Sequence, residues 1–451
     1  MKKIFLVAWL SLGYSTFVLG QYNLGNRINN AINKKIDQGI DRSIDKGLNE
    51  SEEKIREKGK ESIQGKENTN STNNPSESKS SNNSNSTGTT SNETKSGANS
   101  GEYKVYSKFD FVPGEKVIAI EDFTQDAIGD FPAKWNTNGG AELVTLEGQQ
   151  GKWLKIAPMS VLYPEFITTT LPENFTLEFN LAASPDFSYY SSAFHCIMAQ
   201  LTNVQKEYVN WKQYAQDKKN GVIVALHPQN AGGNDGQKFY EVIGAAGEEL
   251  LKNQADFTAF NNNTKRVVKV SIWRQKTRLR VYVNEEKIWD IPKAFDATAK
   301  YNFVGFRVDG YHKEQDSYFL SNFRLAVGAP DTRNKLINEG KYSTNGILFD
   351  VNSDKIKPES FGALKDIANV LTENPDVKVK IVGHTDSDGE DAKNLELSKK
   401  RSEAVKNFLI KEFAISGDRL TTDGRGESQP ISENTTIEGK ANNRRVEFIK
   451  L

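Results

Sequence analysis

From residue 116 onward, apolar and polar positions alternate in short runs. Lys116-Val117-Ile118-Ala119-Ile120, Trp153-Leu154-Lys155-Ile156 and Phe175-Thr176-Leu177-Glu178-Phe179-Asn180-Leu181 each suit a strand with one face turned inward. Val267-Val268-Lys269-Val270-Ser271-Ile272 and Leu279-Arg280-Val281-Tyr282-Val283 repeat the pattern. Asn138-Gly139-Gly140 and Asn261-Asn262-Asn263 punctuate it as turns. The spacing predicts an all-β domain over 101–330. Charges within the strands and irregular turns favour a soluble sandwich over a membrane β-barrel. After a linker at 331–344 the period changes. Strands are expected at 346–350, 377–385, 419–426 and 444–450, alternating with helices at 359–373, 394–412 and 436–441. This is an α/β domain over 345–451.

The first hundred residues read differently. Met1-Lys2-Lys3, an apolar run from Ile4 to about Leu19 and the small Gly20 predict a signal peptide over 1–20. The run is short for a permanent membrane span, and no cysteine stands at the cut to carry a lipid. Over 21–64, Leu24, Ile28, Ile32, Ile36, Ile40, Ile44 and Leu48 recur every fourth position. An amphipathic helix follows, whose stripe winds round its axis. It suits a spacer, self-association, a membrane surface or a partner. Residues 65–100 are almost entirely Ser, Asn, Thr, Lys, Glu and Gly. Such a stretch cannot bury enough surface to offset its ordering entropy, so it reads as a disordered linker.

Composition narrows the chemistry. The 59 basic and 59 acidic residues cancel, which removes any global attraction to nucleic acid. Cys196, the single cysteine of the chain, lies in the apolar run Ala193–Met198 and reads as a buried thiol without a disulfide. His195, His227, His312 and His384 show no metal-ligand spacing. No phosphate-binding glycine loop or serine nucleophile motif appears, and neither does a Glu-x-Asp-x-x-Glu acid signature. No enzyme and no cofactor is expected. Asp309 to Asp316 reads as a solvated loop rather than a calcium site. Trp153, Trp273, Tyr282 and Trp289 read as core rather than as a sugar platform.

One constellation remains. Asp386 ends a strand, and Arg401 falls on an otherwise apolar helix face with Leu397, Ala404, Val405 and Phe408. A guanidinium there needs a carboxylate or a ligand. Two readings fit: a structural Asp–Arg tie, or a site for a zwitterion with Asp386 on its ammonium and Arg401 on its carboxylate. Asn394 is placed to cap the helix.

A longer pattern surrounds the pair. It opens with Gly346-Ile347-Leu348-Phe349-Asp350, Ser353, Ile356 and Pro358. It continues with Gly383-His384-Thr385-Asp386, Asn394, Leu397-Ser398 and Arg401. It closes with Arg419-Leu420, Gly424, Gly426-Glu427, Pro430 and Asn443-Arg444-Arg445-Val446-Glu447-Phe448. Over 345–451 the chain resembles the OmpA-like peptidoglycan-binding domain. The resemblance implies a βαβαβ-type mixed sheet with helices on one face. It also implies a pocket for the diaminopimelate of the peptidoglycan stem peptide in Gram-negative cell walls. Asp386 and Arg401 match the two residues that grip that group, and Asn394 and Arg444 match positions lining or supporting the pocket. The protein is then expected in the periplasm or at the outer membrane, anchoring an upstream β-domain or the membrane to the wall. Upstream, Phe123, Gly129-Asp130-Phe131-Pro132, Trp135 and Leu171-Pro172-Glu173-Asn174-Phe175-Thr176 resemble, over a looser pattern, a laminin-G or concanavalin-like jelly roll. That likeness implies a glycan-binding module, a spacer, or a carbohydrate-active enzyme targeted by the C-terminal domain.

Overall fold

The computed structural model describes residues 109–213, 218–233, 235–328 and 331–451. The expected signal peptide, amphipathic helix and linker lie outside the described residues. The alternating runs form strands in the order β1 (Lys116–Glu121), β2 (Trp135–Thr137), β3 (Ala141–Val144), β4 (Trp153–Ile156) and β5 (Ser160–Pro164). Next come β6 (Asn174–Ala183), β7 (Phe194–Ala199), the short helix α1 (Val204–Glu207), β8 (Gly221–His227), β9 (Gly236–Ile243) and β10 (Glu249–Phe257). The series ends with β11 (Val267–Gln275), β12 (Arg278–Val283), β13 (Glu286–Ile291), β14 (Phe303–Val308) and β15 (Tyr318–Val327).

These strands make two open antiparallel sheets, not a closed barrel. One runs β13-β12-β11-β6-β15-β4-β3 with β1 also on β15; the other runs β10-β9-β8-β7-β14-β5-β2. Their facing sides share one apolar core, including Leu177, Phe179, Phe194, Val224, Ile272 and Phe306. Among the described residues, no helix is long and apolar enough to cross a membrane.

The C-terminal region adds β16 (Lys341–Thr344), α2 (Phe361–Glu373), β17 (Val379–His384), α3 (Asp391–Phe413), β18 (Leu420–Gly426), α4 (Ile437–Asn443) and β19 (Val446–Lys450). The sheet order is β16-β19-β17-β18, with β17 and β18 parallel and the other pairs antiparallel. Two expectations change here. Residues 341–344, read as linker, form edge strand β16, and 346–350, read as a strand, make a single bridge from Phe349 to Ile356. Arg419 donates to the carbonyls of Leu371 and Asn374, closing the C-terminal end of α2.

The two regions do not end at a solvated linker. Along β11 and β12 the side chains alternate faces, so Ile272 and Val281 enter the two-sheet core while Trp273 and Tyr282 point away from it. Those outward rings are not solvated. Phe111 packs edge-on against Trp273 at 6.1 Å, and Phe109 against Tyr282 at 5.7 Å. Phe109, Phe111 and Val112 belong to the same apolar cluster as Leu364, Ile381 and Phe448 of the C-terminal region. Helix α2 approaches this strap so closely that a Cβ on Gly362 would overlap the Phe111 carbonyl. On another side, Asn442 of α4 bonds Val117 twice, accepting from its N–H at 2.9 Å and donating to its carbonyl at 3.0 Å.

Two further expectations resolve in the upstream region. Trp153, Trp273 and Tyr282 are buried and Trp289 is half-buried. Cys196 is buried too, and its thiol is pushed far up by desolvation. The Asp309–Asp316 stretch, read as solvated, is so only in part: His312, Glu314 and Gln315 are exposed, whereas both end aspartates are buried. Asp316 is buried and accepts from the Ser191 hydroxyl at 2.6 Å and the Lys313 amide at 3.1 Å, and Asp309 pairs with Arg307 at 3.0 Å. The Ser191 hydroxyl and the Ser188 and Lys313 amides satisfy the Asp316 carboxylate, whereas burial raises the pKa of Asp309 despite its Arg307 pair.

Candidate functional site

The site forms where β17 and β18 run side by side under the first half of α3. Three glycines set the spacing. A Cβ on Gly383 would overlap the Ser398 carbonyl, and Gly424 and Gly426 lie against Ser398 and Leu395. A helix held that close to a sheet accepts small side chains on its innermost line. The buried positions of α3 are therefore Asn394, Ser398, Ser402, Val405 and Leu409. This corrects the expected face of Leu397, Arg401, Ala404, Val405 and Phe408. Of these Val405 is fully buried, and Arg401 sits half-buried on the flank. Ser398 Oγ accepts from the Gly426 amide at 2.9 Å and donates to the Leu395 carbonyl at 2.8 Å, so its burial leaves no orphan.

Asp386 leaves the end of β17, where the Thr385 amide donates to the Gly426 carbonyl at 3.0 Å. Its Oδ2 pairs with Nη1 of Arg444, and its Oδ1 accepts from the Asp388 amide at 3.3 Å. Arg401 takes a different set of partners. Its Nε donates to the Ser353 carbonyl at 3.0 Å, and its guanidinium lies 4.9 Å from the centre of the Phe349 ring. Among the described residues no carboxylate lies within ion-pair distance of it. Burial lowers the pKa of Arg401, the neighbouring Asp386 charge works against that, and Arg444 adds to it.

Asn394 does not cap α3, which begins at Asp391. Its amide instead donates to the carbonyls of Asp386 at 3.3 Å and Asp388 at 3.1 Å and to Glu427 Oε2 at 2.6 Å. It holds the 386–390 loop against β18, a positioning role. The acids of that loop are largely answered: Lys440 pairs with Asp388 at 2.6 Å and Lys393 with Glu390 at 2.9 Å. His384, beside the site, is buried with Nε2 3.4 Å from Glu447 Oε2. Burial raises the pKa of Glu447, but His384, Lys341 and Arg445 outweigh it and hold the acid well below its ordinary value.

Asp386, Asn394, Arg401 and Arg444 line one cavity of about 630 Å³. Its floor includes Phe349 and the buried Thr385, whose hydroxyl finds no partner in the protein. Sequence reasoning assigned Phe349 no role, although an aromatic just before Asp350 was the available signal. It also missed Ile120, Asn322 and Arg324, which reach the cavity from β1 and β15. No local pattern marks them, because tertiary packing alone brings them there. In the two-sheet region, a separate groove of about 530 Å³ lies between Glu142, Lys155, Pro158, Tyr311, His312 and Glu314. Nearby, Tyr190 is 77% exposed and packs 5.2 Å from His312. Among the described residues, no group of three or more His, Cys, Asp or Glu is arranged to hold a metal.

Residues 348–444 match the OmpA family. Outer membrane porin F of Pseudomonas aeruginosa is 41% identical over 101 residues, covering 22% of this chain and 29% of that protein. The probable lipoprotein YiaD of Escherichia coli is 36% identical over 142 residues, covering 31% of this chain and 63% of its own. The peptidoglycan-binding protein ArfA of Mycobacterium bovis is 36% identical over 103 residues, covering 23% of this chain and 31% of that protein. The chain thus spans less than two thirds of the length of each of these relatives. With the matched span falling on the mixed sheet, its helices and the cleft above them, residues 348–444 are an OmpA family domain.

Proposed function

We propose that this is a non-catalytic cell-envelope protein that binds peptidoglycan through the diaminopimelate of the stem peptide. Asp386 takes the ammonium and Arg401 the carboxylate, with Arg444 and Asn394 supporting Asp386. The protein thereby holds its upstream β-domain, or the outer membrane, at the cell wall. The carrying observation is Arg401: a half-buried guanidinium over Phe349 that opens into the cleft without a carboxylate partner. Partial burial of an unanswered charge is costly, and a bidentate carboxylate answers it. Asp386 retains acceptor capacity beyond its Arg444 pair. The names of ArfA, a peptidoglycan-binding protein, and of porin F, an outer membrane protein, support the same reading. We take the domain order as signal peptide 1–20, helical segment 21–64, linker 65–100, jelly-roll-like β-domain 101–330 and OmpA-like domain 345–451.

The test is co-sedimentation with isolated sacculi. Folded Asp386→Ala and Arg401→Ala variants should both be released into the supernatant, and full retention of both overturns the proposal. The exposed Tyr190 beside the 530 Å³ groove favours a second reading, in which the β-domain binds a glycan by ring stacking. Tyr190→Ala should then lose affinity for soluble glycan strands while leaving wall retention through Asp386 intact.

A further inference from the structure

The cleft of the OmpA domain is not built by that domain alone. Arg324 and Asn322 of β15 and Ile120 of β1 form part of its lining. Hydrogen bonds hold this wall against the OmpA domain. Arg324 Nη2 donates to Asn345 Oδ1 at 3.0 Å, Asn345 Nδ2 donates back to the Glu115 carbonyl at 3.3 Å, and Asn442 clamps Val117. Val117, Ala326 and Ala441 pack together behind them.

The charge on this wall is unbalanced. Buried Glu178 pairs with both Arg324 and Lys269, so the trio carries one positive charge in excess. Among the described lining residues Arg324, Lys357, Arg401 and Arg444 stand against three acids, Asp350, Asp386 and Asp388, with Arg445 answered by Glu447 behind the lining. Next to Arg324, the β15–β6 ladder breaks its register between Ser321 and Arg324. Asn322 sits in that break at φ +52°, exposed and among the residues lining the cleft, and its carboxamide has no hydrogen-bond partner among the described residues. A bulge of this kind re-aims a side chain out of the sheet. Asn also tolerates the left-handed backbone there.

We propose that Arg324 and Asn322 form a second subsite of the same cleft, which takes a further carboxylate of the peptide ligand whose zwitterionic end sits at Asp386 and Arg401. The proposal rests on the wall-binding reading above. It makes the β-domain a part of the binding site and gives the cleft a preference for stem peptides with free carboxylates over amidated ones.

The probes are a soluble L-Ala–γ-D-Glu–meso-diaminopimelate tripeptide and its analogue amidated at the glutamate α-carboxylate, titrated calorimetrically into the full chain. Wild type should bind the free acid at least about fivefold more tightly than the amide, in line with the worth of a charge-assisted contact. Asn322→Asp places a like charge in the subsite and should abolish that preference. Asn322→Gly keeps the backbone conformation and should reduce the preference in part. Asp386→Ala should lose both peptides. Equal wild-type affinity for the two peptides, or an unchanged preference in Asn322→Asp, overturns the second subsite and leaves the first. Wild type binding neither peptide overturns the wall-binding reading, and the second subsite with it.

Discussion

Asp386 and Arg401 line one cleft without pairing with each other: Asp386 holds Arg444, while Arg401 donates to the Ser353 carbonyl above the Phe349 ring. In a simple one-to-one Asp386–Arg401 tie the two charges would cancel, with no positive charge in excess. Here the carboxylate is oriented by a second arginine, and among the described residues no carboxylate answers Arg401.

Arg401→Lys tests the fork. A lysine keeps the charge but loses the planar bidentate donor set and the stacking on Phe349. Affinity for a diaminopimelate-containing peptide should fall by about tenfold, with the urea midpoint unchanged. Equal affinity would show that charge alone suffices.

The junction between the two regions should be part of one cooperative structure. Asn442→Ala leaves a buried amide and a buried carbonyl of Val117 without partners and should cost roughly 1–3 kcal/mol. Gly362→Ala forces α2 away from Phe111 and should cost a similar ~1–3 kcal/mol. Both are read as lowered urea midpoints. A single shifted transition is expected. An unchanged C-terminal transition in either variant would mean that the OmpA domain folds without the strap.

Gly383→Ala tests the close helix–sheet approach. The added methyl meets the Ser398 backbone, which has no flexible end to swing aside. We expect a loss of about 2 kcal/mol or more, with α3 displaced and peptide binding weakened together. Gly148→Ala, where a Cβ meets nothing but the backbone is at φ +72°, should cost about 1 kcal/mol through conformation alone and leave binding unaffected.

Acid should destabilise the C-terminal region through Glu447. Its carboxyl is held below the ordinary 4.5 in the folded state, so its contribution is complete above that value. The contribution fades as pH falls below 4.5 toward the folded value, because the unfolded chain then binds the extra proton. Urea midpoints measured from about pH 6 down to about pH 3 should fall in wild type and fall less steeply in Glu447→Gln. Parallel curves would place the acid sensitivity elsewhere.

Much of this was legible in the chain because it is local. Strand period, glycine turns and the change to a 3.6 period mark the runs Trp153–Ile156, Asn174–Ala183, Phe361–Glu373 and Val379–His384 within a residue or two. The dense motif from Phe349 to Phe448 carries the family likeness. The innermost face of α3 is not legible from hydrophobicity, because apolar character does not set burial there. At Ser398 and Ser402 the closeness of three glycines favours small hydroxyl side chains over leucines. The role of Asn394 is hidden for a related reason: a cap is a local feature, whereas its partners Asp386, Asp388 and Glu427 come together in the fold.

The sequence by itself determined the β-rich upstream region, the α/β C-terminal domain and the residue types of the cleft, since each rests on periodicity or on an ordered set of short motifs. Tertiary structure alone decided that Arg444, not Arg401, answers Asp386, and that Phe109 and Phe111 join two regions through one apolar cluster. It also decided that Asn322 and Arg324, more than sixty residues before Asp386, form a wall of the same cleft. The physical reason is the same in each case. Partners distant in sequence are chosen by packing and charge balance, and neither leaves a spacing in the chain to read.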